Sequence, residues 1–467
     1  MAMDNDGAAT FWTPLIRKAD GPVYLAIADA LSADILSGKL ASGARLPPQR
    51  SLAEVLKIDF TTVSRAYAEA RKRGLVEGRV GQGTYVRAKR LGSVRPVASG
   101  LVDMSMNLPP RFDDPGLAVR MWDGIGGLQT DGGLDLLLRY QQAGGAGRDR
   151  DAGALWLASR LEGVTADRVL VCPGAQGAML AVAGVLAAPG ETICAEALTY
   201  PGFRSVAAHL RIETAAVACD ANGLIPEAFE AICAKRAPKA LYCNPTLHNP
   251  TTVTLSLARR QALVAIARKY GVPIIEDDAY GALPLEPVPP LAALAPDMVY
   301  HIAGLAKCLA PALRIAYLVV PDSRAAARAA GAVRATASMA SPLTAAIATR
   351  WIEDGTADAV LAAIRQEAGA RQVIAAKILP AEQVLADPEG YHIWLRLTPP
   401  WTRGEFTSRL RSAGIGVVAS DAFALQSPPE AVRLGLGAAE NRDELEHSLH
   451  IVADLLAQSP AVTSMVV

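Results

Sequence analysis

Met298-Val-Tyr-His-Ile-Ala-Gly-Leu-Ala-Lys307 is an apolar run that ends on a lysine, and Arg314 follows seven residues later. A short, nearly continuous apolar run closed by a glycine reads as a strand buried on both faces. Similar runs recur at Val169–Cys172, Thr192–Ala195, Ala240–Cys243, Val272–Glu276 and Ala316–Val320, with helical stretches between them. This alternation predicts an α/β domain around a mainly parallel sheet. Ligands of such sheets bind beyond the carboxyl ends of the strands. The polar oddities of this half of the chain sit at those ends. Pro173-Gly174-Ala175-Gln176-Gly177 follows the Val169 run, and Asn244-Pro-Thr-Leu-His-Asn249-Pro-Thr-Thr252 follows the Ala240 run. Glu276-Asp277-Asp278-Ala279-Tyr280 closes the Val272 run, and Lys307 closes the run quoted first.

Singly, each group has an ordinary explanation. A glycine turn before a helix is commonly structural, a strand-end aspartate caps a turn, a lone lysine faces solvent, and Asn-Pro-Thr makes a turn. Together, in order and each at a strand end, they share one chemical use. A lysine amine forms a Schiff base with an aldehyde, and a carboxylate keeps a pyridine nitrogen protonated so that the ring withdraws electrons. A phenol and an amide hydrogen-bond a ring oxygen. An arginine forks onto a phosphate, and N–H groups at a helix start cradle one. The molecule that carries aldehyde, pyridine, ring oxygen and phosphate is pyridoxal 5′-phosphate.

The first hundred residues read differently. Val23 to Leu36 has a helical stripe at Val23, Ile27, Leu31 and Ile35. Leu46-Pro47-Pro48 breaks any helix, and Ser51-Leu-Ala-Glu54 has the form of a capping box opening a short helix that ends near Leu56. After a brief turn, Thr61 or Thr62 caps a third helix to Arg73, with Gly74 as its stop. Its inner face is Val63, Ala66, Tyr67 and Ala70; its outer face is Thr62, Ser64, Arg65 and Glu69. Leu75 to Val86 reads as a hairpin with the glycine-rich tip Gly78-Arg79-Val80-Gly81-Gln82-Gly83. A short helix, a tight turn and a longer helix exposing Thr, Ser and Arg at its start is a helix-turn-helix, which lays that start in the major groove of double-stranded DNA. The hairpin is then a wing, with Arg79 and Gln82 near phosphates or the minor groove. A purely structural helical subdomain is the competing reading.

Charge agrees with DNA binding by the head. The chain has 46 Lys/Arg and 46 Asp/Glu, but residues 1–100 hold fifteen basic and nine acidic, leaving 31 and 37 beyond. From Thr61 to Arg95 the ratio is nine to two. Residues 88–102 read as a linker, and 124–147 is glycine-rich without a clear pattern. The six cysteines are scattered without a CxxC pair, which argues against a zinc site or a disulfide framework and for a reducing cytoplasm. Met1 to Thr10 lacks the order of a secretion signal. The longest apolar stretch, near Ala178 to Ala188, is well short of the roughly 20 residues of a membrane span.

The head resembles the GntR family of winged-helix regulators. Its matching segments are Leu46-Pro-Pro-Gln-Arg50-Ser51-Leu-Ala53, Thr62-Val-Ser64-Arg65-Ala-Tyr67 and Gly81-Gln82-Gly83-Thr-Tyr-Val86. The resemblance implies that Arg50, Ser51, Thr62, Ser64, Arg65 and the wing tip (Arg79, Gln82, Gly83) face DNA. The body resembles the aspartate aminotransferase family. That likeness implies Lys307 as the aldimine lysine, with Asp277 at the pyridine nitrogen and Tyr280 and Asn249 at the ring's 3′ oxygen. Arg314 takes the phosphate beside Gly174, Ala175 and Gln176, while Tyr200, in Thr199-Tyr-Pro-Gly202, stacks on the ring. Arg433, in Val432-Arg-Leu-Gly435, grips a ligand α-carboxylate. Tyr140 is a looser match for a residue reaching the partner subunit's phosphate. Head and body together resemble the MocR subgroup of GntR regulators. The division expected is a winged helix-turn-helix over 15–87, a linker over 88–102 and an aminotransferase-like domain over 103–467.

Two departures stand out. Where the aminotransferase family has Gly-Thr-x-Ser-Lys, this chain has Ala303-Gly304-Leu305-Ala306-Lys307, so both hydroxyls are gone. If they hold the phosphate, two hydrogen bonds of roughly 1 kcal/mol or more each are lost. Thr252 replaces the glycine that usually closes Asn-Pro-Thr-Gly. Cys308 reads as a buried hydrophobe. The resemblance therefore implies a homodimeric regulator that senses an amino compound or a B6 vitamer, rather than an enzyme with more than weak turnover. An aminotransferase with a secondary or dual DNA-binding role, and a repressor sensing pyridoxal phosphate itself, are the alternatives.

Overall fold

The apolar stripes of the head become three packed helices, α1 (Val23–Leu36), α2 (Gln49–Leu56) and α3 (Phe60–Lys72), followed by a hairpin of β1 (Val76–Arg79) and β2 (Gly83–Val86). The structure is a computed structural model that describes residues 12–14, 22–36, 39–40, 43–73, 75–79, 83–86, 102–131, 133 and 135–458. The chain divides into two compact units, residues 1–99 and 100–467. Residues 88–101 of the linker expected over 88–102, the Gly74 stop, Gln82, and Met1 to Thr10 lie outside the described residues, as does the side chain of Arg79.

In the head, α3 buries Val63, Ala66, Tyr67 and Ala70, as its spacing requires. These pack with Leu31 of α1 and Leu52 of α2. The caps differ from expectation. α2 begins two residues before Ser51, after Pro48 at its N-cap, and Ser51 makes no cap bond. Pro48 fixes φ just before the first turn and offers no side-chain acceptor, so the helix starts there without a side-chain cap. α3 is capped by Asp59, whose carboxylate accepts from Thr61 N at 2.7 Å, and not by Thr61 or Thr62. The hairpin pairs Val76 with Val86, and Arg79 with Gly83. Residues 43–46 run along its outer edge, with Leu46 N donating to Thr84 O at 2.8 Å.

The body is built on a seven-stranded sheet of β3 (Val169–Cys172), β4 (Thr192–Glu196), β5 (Glu213–Val217), β6 (Ala240–Cys243), β7 (Ile274–Asp277), β8 (Val299–Gly304) and β9 (Ala316–Val319). The spatial order is β3-β9-β8-β7-β6-β4-β5, parallel except for β9, which is antiparallel to both neighbours. β7 starts two residues later than expected because Pro273 accepts from Leu241 N along the sheet but has no N–H to return. β5 was not expected: its half-exposed, alternating pattern gives no continuous apolar run. A second, smaller sheet of β10 (Val384–Ala386), β11 (His392–Arg396), β12 (Val418–Ala419) and β13 (Ala431–Gly435) has the order β10-β11-β13-β12 and is antiparallel. The glycine-rich 124–147 stretch holds the short helices Leu128–Asp131 and Asp135–Leu138. No helix among the described residues is long and apolar enough to cross a membrane.

Buried Tyr67 gives a test of the head. Its hydroxyl donates to Pro47 O at 2.8 Å, locking α3 to the segment before α2. Tyr67→Phe removes that donor and strands a buried carbonyl. The unfolding free energy of the head, followed by urea denaturation, should fall by about 1–2 kcal/mol; an unchanged transition would mean that water replaces the tie.

Candidate functional site

The carboxyl ends of β3, β6, β7 and β8 open on one cavity of ≈ 240 Å³. Gly174, Ala175, Gln176, Tyr200, Asn249, Asp277, Tyr280, Lys307 and Arg314 all line it, joined by Asn244, Met106 and Leu108. The chain brings these groups together from positions more than 200 residues apart.

Asp277 is the last residue of β7 and is buried. Its Oδ2 accepts from Tyr242 OH at 2.8 Å, while Oδ1 is buried without a partner. Burial pushes the carboxyl up to about 6, opposed by the Tyr242 hydrogen bond. Tyr242 is itself fixed by a parallel ring stack on Phe203 at 4.0 Å. Asn244 Nδ2 donates to Asp277 O at 2.6 Å, and its Oδ1 accepts from Asn249 N at 2.8 Å. A buried carboxylate oxygen that lacks a donor, on a residue lining a cavity, is what a protonated pyridine nitrogen would satisfy.

Lys307 sits in the turn after β8. Burial, with Arg433 nearby, brings its amine down to about 8. Its Nζ donates to Asn107 O. Cys308 beside it is buried, with its thiol pushed up to about 11 by burial, as expected of a hydrophobe. Tyr280 OH accepts from Asn107 Nδ2 at 2.8 Å.

At the other end of the cavity, Gly174 opens the helix Gly174–Leu186 with φ +75. A Cβ there would lie 3.2 Å from Arg314 Nη2. Glycine thus lets the guanidinium come close to the helix start, where both would offer donors to cradle a dianion. The Gln176 side chain is committed to Gly202 O at 2.9 Å, which leaves its backbone to the cradle. Gly304 and Ala306 line the cavity without hydroxyls, and a Cβ on Gly304 would stand 3.2 Å from the Ala175 Cβ. Thr252 is buried at φ 67, the left-handed region where glycine is unstrained and threonine carries about 1–3 kcal/mol of strain.

Arg433, midway along β13, is buried beside the cavity. Nη1 donates to Asn249 Oδ1 at 2.9 Å, Nη2 donates to Ser105 O, and Nε has no partner. Asn249 therefore spends its carbonyl on Arg433 and keeps its amide N–H groups to donate. Behind Asn244 lie Glu196, pushed up to about 8 by burial, and His248, brought down to about 4 by burial. Tyr140 is 86% exposed and lines no part of the cavity.

Sequence reading missed Tyr242, Asn244 and Asn107. Tyr242 is hidden in an apolar strand, where a tyrosine reads as core. Asn244 stood in the quoted loop beside Asn249 and was passed over. Asn107 lies in a stretch without periodicity.

In the head, Arg50 and Arg65 are exposed, while Ser51, Thr62 and Ser64 are half-buried at the starts of α2 and α3. Arg65 lies over the Tyr24 ring at 4.4 Å and Arg50 over Phe60 at 6.0 Å, which orients both guanidinium groups. Gly83 has φ +116 and a Cβ there would meet Arg45 Nε at 3.2 Å.

Residues 137–452 match the family Aminotransferase class I and II, and residues 23–86 match Bacterial regulatory proteins, gntR family. YdeF of Bacillus subtilis, an uncharacterized HTH-type transcriptional regulator, is 31% identical over 95% of this chain and 96% of its own. The vitamin B6 salvage pathway transcriptional repressor PtsJ of Salmonella typhimurium is 27% identical over 89% of this chain and 95% of its own. A kynurenine aminotransferase of Pyrococcus horikoshii shares the fold of the body, with a TM-score of 0.70 at 21% identity over 79% of this chain and 93% of that one. The chain thus belongs to the MocR-type transcription regulators, a gntR-family DNA-binding head joined to an aminotransferase class I and II domain whose cofactor is pyridoxal 5′-phosphate.

Proposed function

We propose that this regulator changes its hold on DNA according to what occupies the Lys307 site. The observation that carries the reading is Asp277 Oδ1, a buried acceptor without a donor in a cavity that also holds a depressed lysine amine and a dianion cradle. When bound, pyridoxal phosphate supplies an electron-withdrawing ring and an aldehyde that condenses with amines. Lys307 is its attachment point, through a Schiff base. Asp277 holds the ring nitrogen, Tyr280 and Asn249 the ring oxygen, and Tyr200 the ring face. Arg314 and the N–H groups of Gly174, Ala175 and Gln176 hold the phosphate. Arg433 meets the carboxylate of an amino compound. A B6 vitamer is the other effector class, and the printed name of PtsJ supports it. Arg50, Ser51, Thr62, Ser64 and Arg65, with Arg79, Gln82 and Gly83 of the wing, contact an operator in the cytoplasm.

The acting species is a homodimer on this reading. Trp122, 62% exposed, and Tyr140 belong to segments beside the helix Pro342–Glu353, whose Leu343 is exposed too. Such a set of apolar side chains fits a face covered by a second copy. A catalytic aminotransferase is the second reading, favoured by the completeness of the site. The missing hydroxyls at Gly304 and Ala306 favour the sensor, and steady multiple turnover with a panel of amino acids would establish the enzyme.

The lysine assignment has a spectroscopic and a pH consequence. Lys307→Ala should abolish the visible absorbance band formed with pyridoxal phosphate; a surviving band contradicts the assignment. The neutral amine is the attacking form, so loading should quicken as pH rises toward about 8 and level off above it. A rate still climbing near pH of about 10.4 would mark an ordinary lysine.

The DNA reading is checked at Arg65. Arg65→Ala should weaken binding to a duplex selected in vitro by about 1–3 kcal/mol, roughly five- to 150-fold, in a binding titration. Undiminished affinity would mean that α3 is not the reader.

A further inference from the structure

The stretch after Gly100 crosses the site on its way into the body. Val102–Asp103 pairs in parallel with Ile415–Gly416, and Gly435 N donates to Met104 O at 2.8 Å. The backbones run so close that a Cβ on Gly435 would lie 2.6 Å from Met106 O, and one on Gly437 would lie 1.9 Å from Leu108 O. Anchored there on the smaller sheet, residues 105–107 reach three groups assigned above to cofactor and effector. Lys307 Nζ donates to Asn107 O and Arg433 Nη2 donates to Ser105 O. Asn107 Nδ2 donates to Tyr280 OH at 2.8 Å, and Asn107 is only 5% exposed.

We propose that residues 105–107 are a strap that reads the occupancy of the site, because its ties are made by the same groups that cofactor and effector claim. The proposal rests on attachment of pyridoxal phosphate at Lys307. In that condensation the lysine nitrogen forms a C=N bond to the aldehyde carbon, and the aldehyde oxygen leaves as water with two hydrogens from the amine. The nitrogen keeps at most one proton, which it shares with the neighbouring ring oxygen, and has none for Asn107 O. An effector amine then exchanges with the lysine. Its nitrogen forms the C=N bond, the bond to Lys307 breaks, and two hydrogens pass from the effector nitrogen to the lysine nitrogen. A carboxylate on that effector claims the Arg433 N–H groups that otherwise hold Ser105 O. Loading thus removes the lysine tie, and the effector removes the arginine tie. Residues 102–104 connect the strap to residues 87–101, which join the body in sequence to the head, and on this proposal release of the strap is passed along that stretch of chain.

Hydrogen exchange of the full chain at residues 104–108, with and without pyridoxal phosphate, tests this while the visible band of the same sample reports loading. Exchange at the Met106 and Leu108 amides should rise roughly tenfold on loading, the scale expected for loss of one charge-assisted hydrogen bond. Asn107→Ala removes the Tyr280 tie and keeps the backbone oxygen. Its strap should exchange faster even without cofactor, and its cofactor-dependent change in affinity for a selected duplex should shrink several-fold. A loaded chain whose strap exchanges at the unloaded rate overturns the proposal while attachment at Lys307 stands. An Asn107→Ala chain with wild-type exchange and a full response also overturns it, and absence of the band overturns both.

Discussion

A carboxylate buried at a strand end costs several kcal/mol unless a donor or a cation meets it, and Asp277 is met on one oxygen only. The hydroxyl of Tyr242 holds Oδ2, and Tyr242 is held in turn by its stack on Phe203. Oδ1 is left buried without a donor on a residue that lines the cavity. Burial pushes the carboxyl up to about 6 against the pull of the Tyr242 hydrogen bond and of Lys307, and Oδ1 still has no donor of its own. The rest of the cavity is consistent with one remedy, a ring whose protonated nitrogen meets Asp277. Its aldehyde would stand by Lys307 and its phosphate in the cradle of Gly174 and Arg314.

The end of the cavity beside Gly304 and Ala306 is where this chain departs from the aminotransferase pattern. The turn from Gly304 to Lys307 offers no hydroxyl, and the closeness of Gly304 to Ala175 leaves a side chain there only at the expense of a shift. On the proposed reading, phosphate binding would lean on the helix start and on Arg314. A weaker grip suits reversible occupancy more than sustained turnover, which needs the cofactor to stay through many cycles. The amine of Lys307, brought down to about 8, is consistent with this, since more of it is neutral near physiological pH than for an ordinary lysine.

Much of this was legible in the sequence because both halves obey simple periodicities. Six of the seven strands of the large sheet follow from continuous apolar runs, and the inner face of α3 follows from its spacing. Residues placed at strand ends by that reading do converge on one cavity. The caps of α2 and α3 were misread because Pro48 and Asp59 compete with nearby serine and threonine for the same role, and local pattern does not rank them. The strand Glu213–Val217 and the smaller sheet depend on neighbours distant in the chain. Tyr242 and Asn107 were invisible for a related reason. Their roles are defined by partners 35 and 173 residues away, which no local pattern encodes.

The most direct measurement is the affinity of the full chain for a duplex selected in vitro, titrated with pyridoxal 5′-phosphate while its visible band is followed. The account requires the affinity to change in step with the band, over the same range of cofactor concentration. A band that forms to completion while DNA affinity stays constant would contradict it.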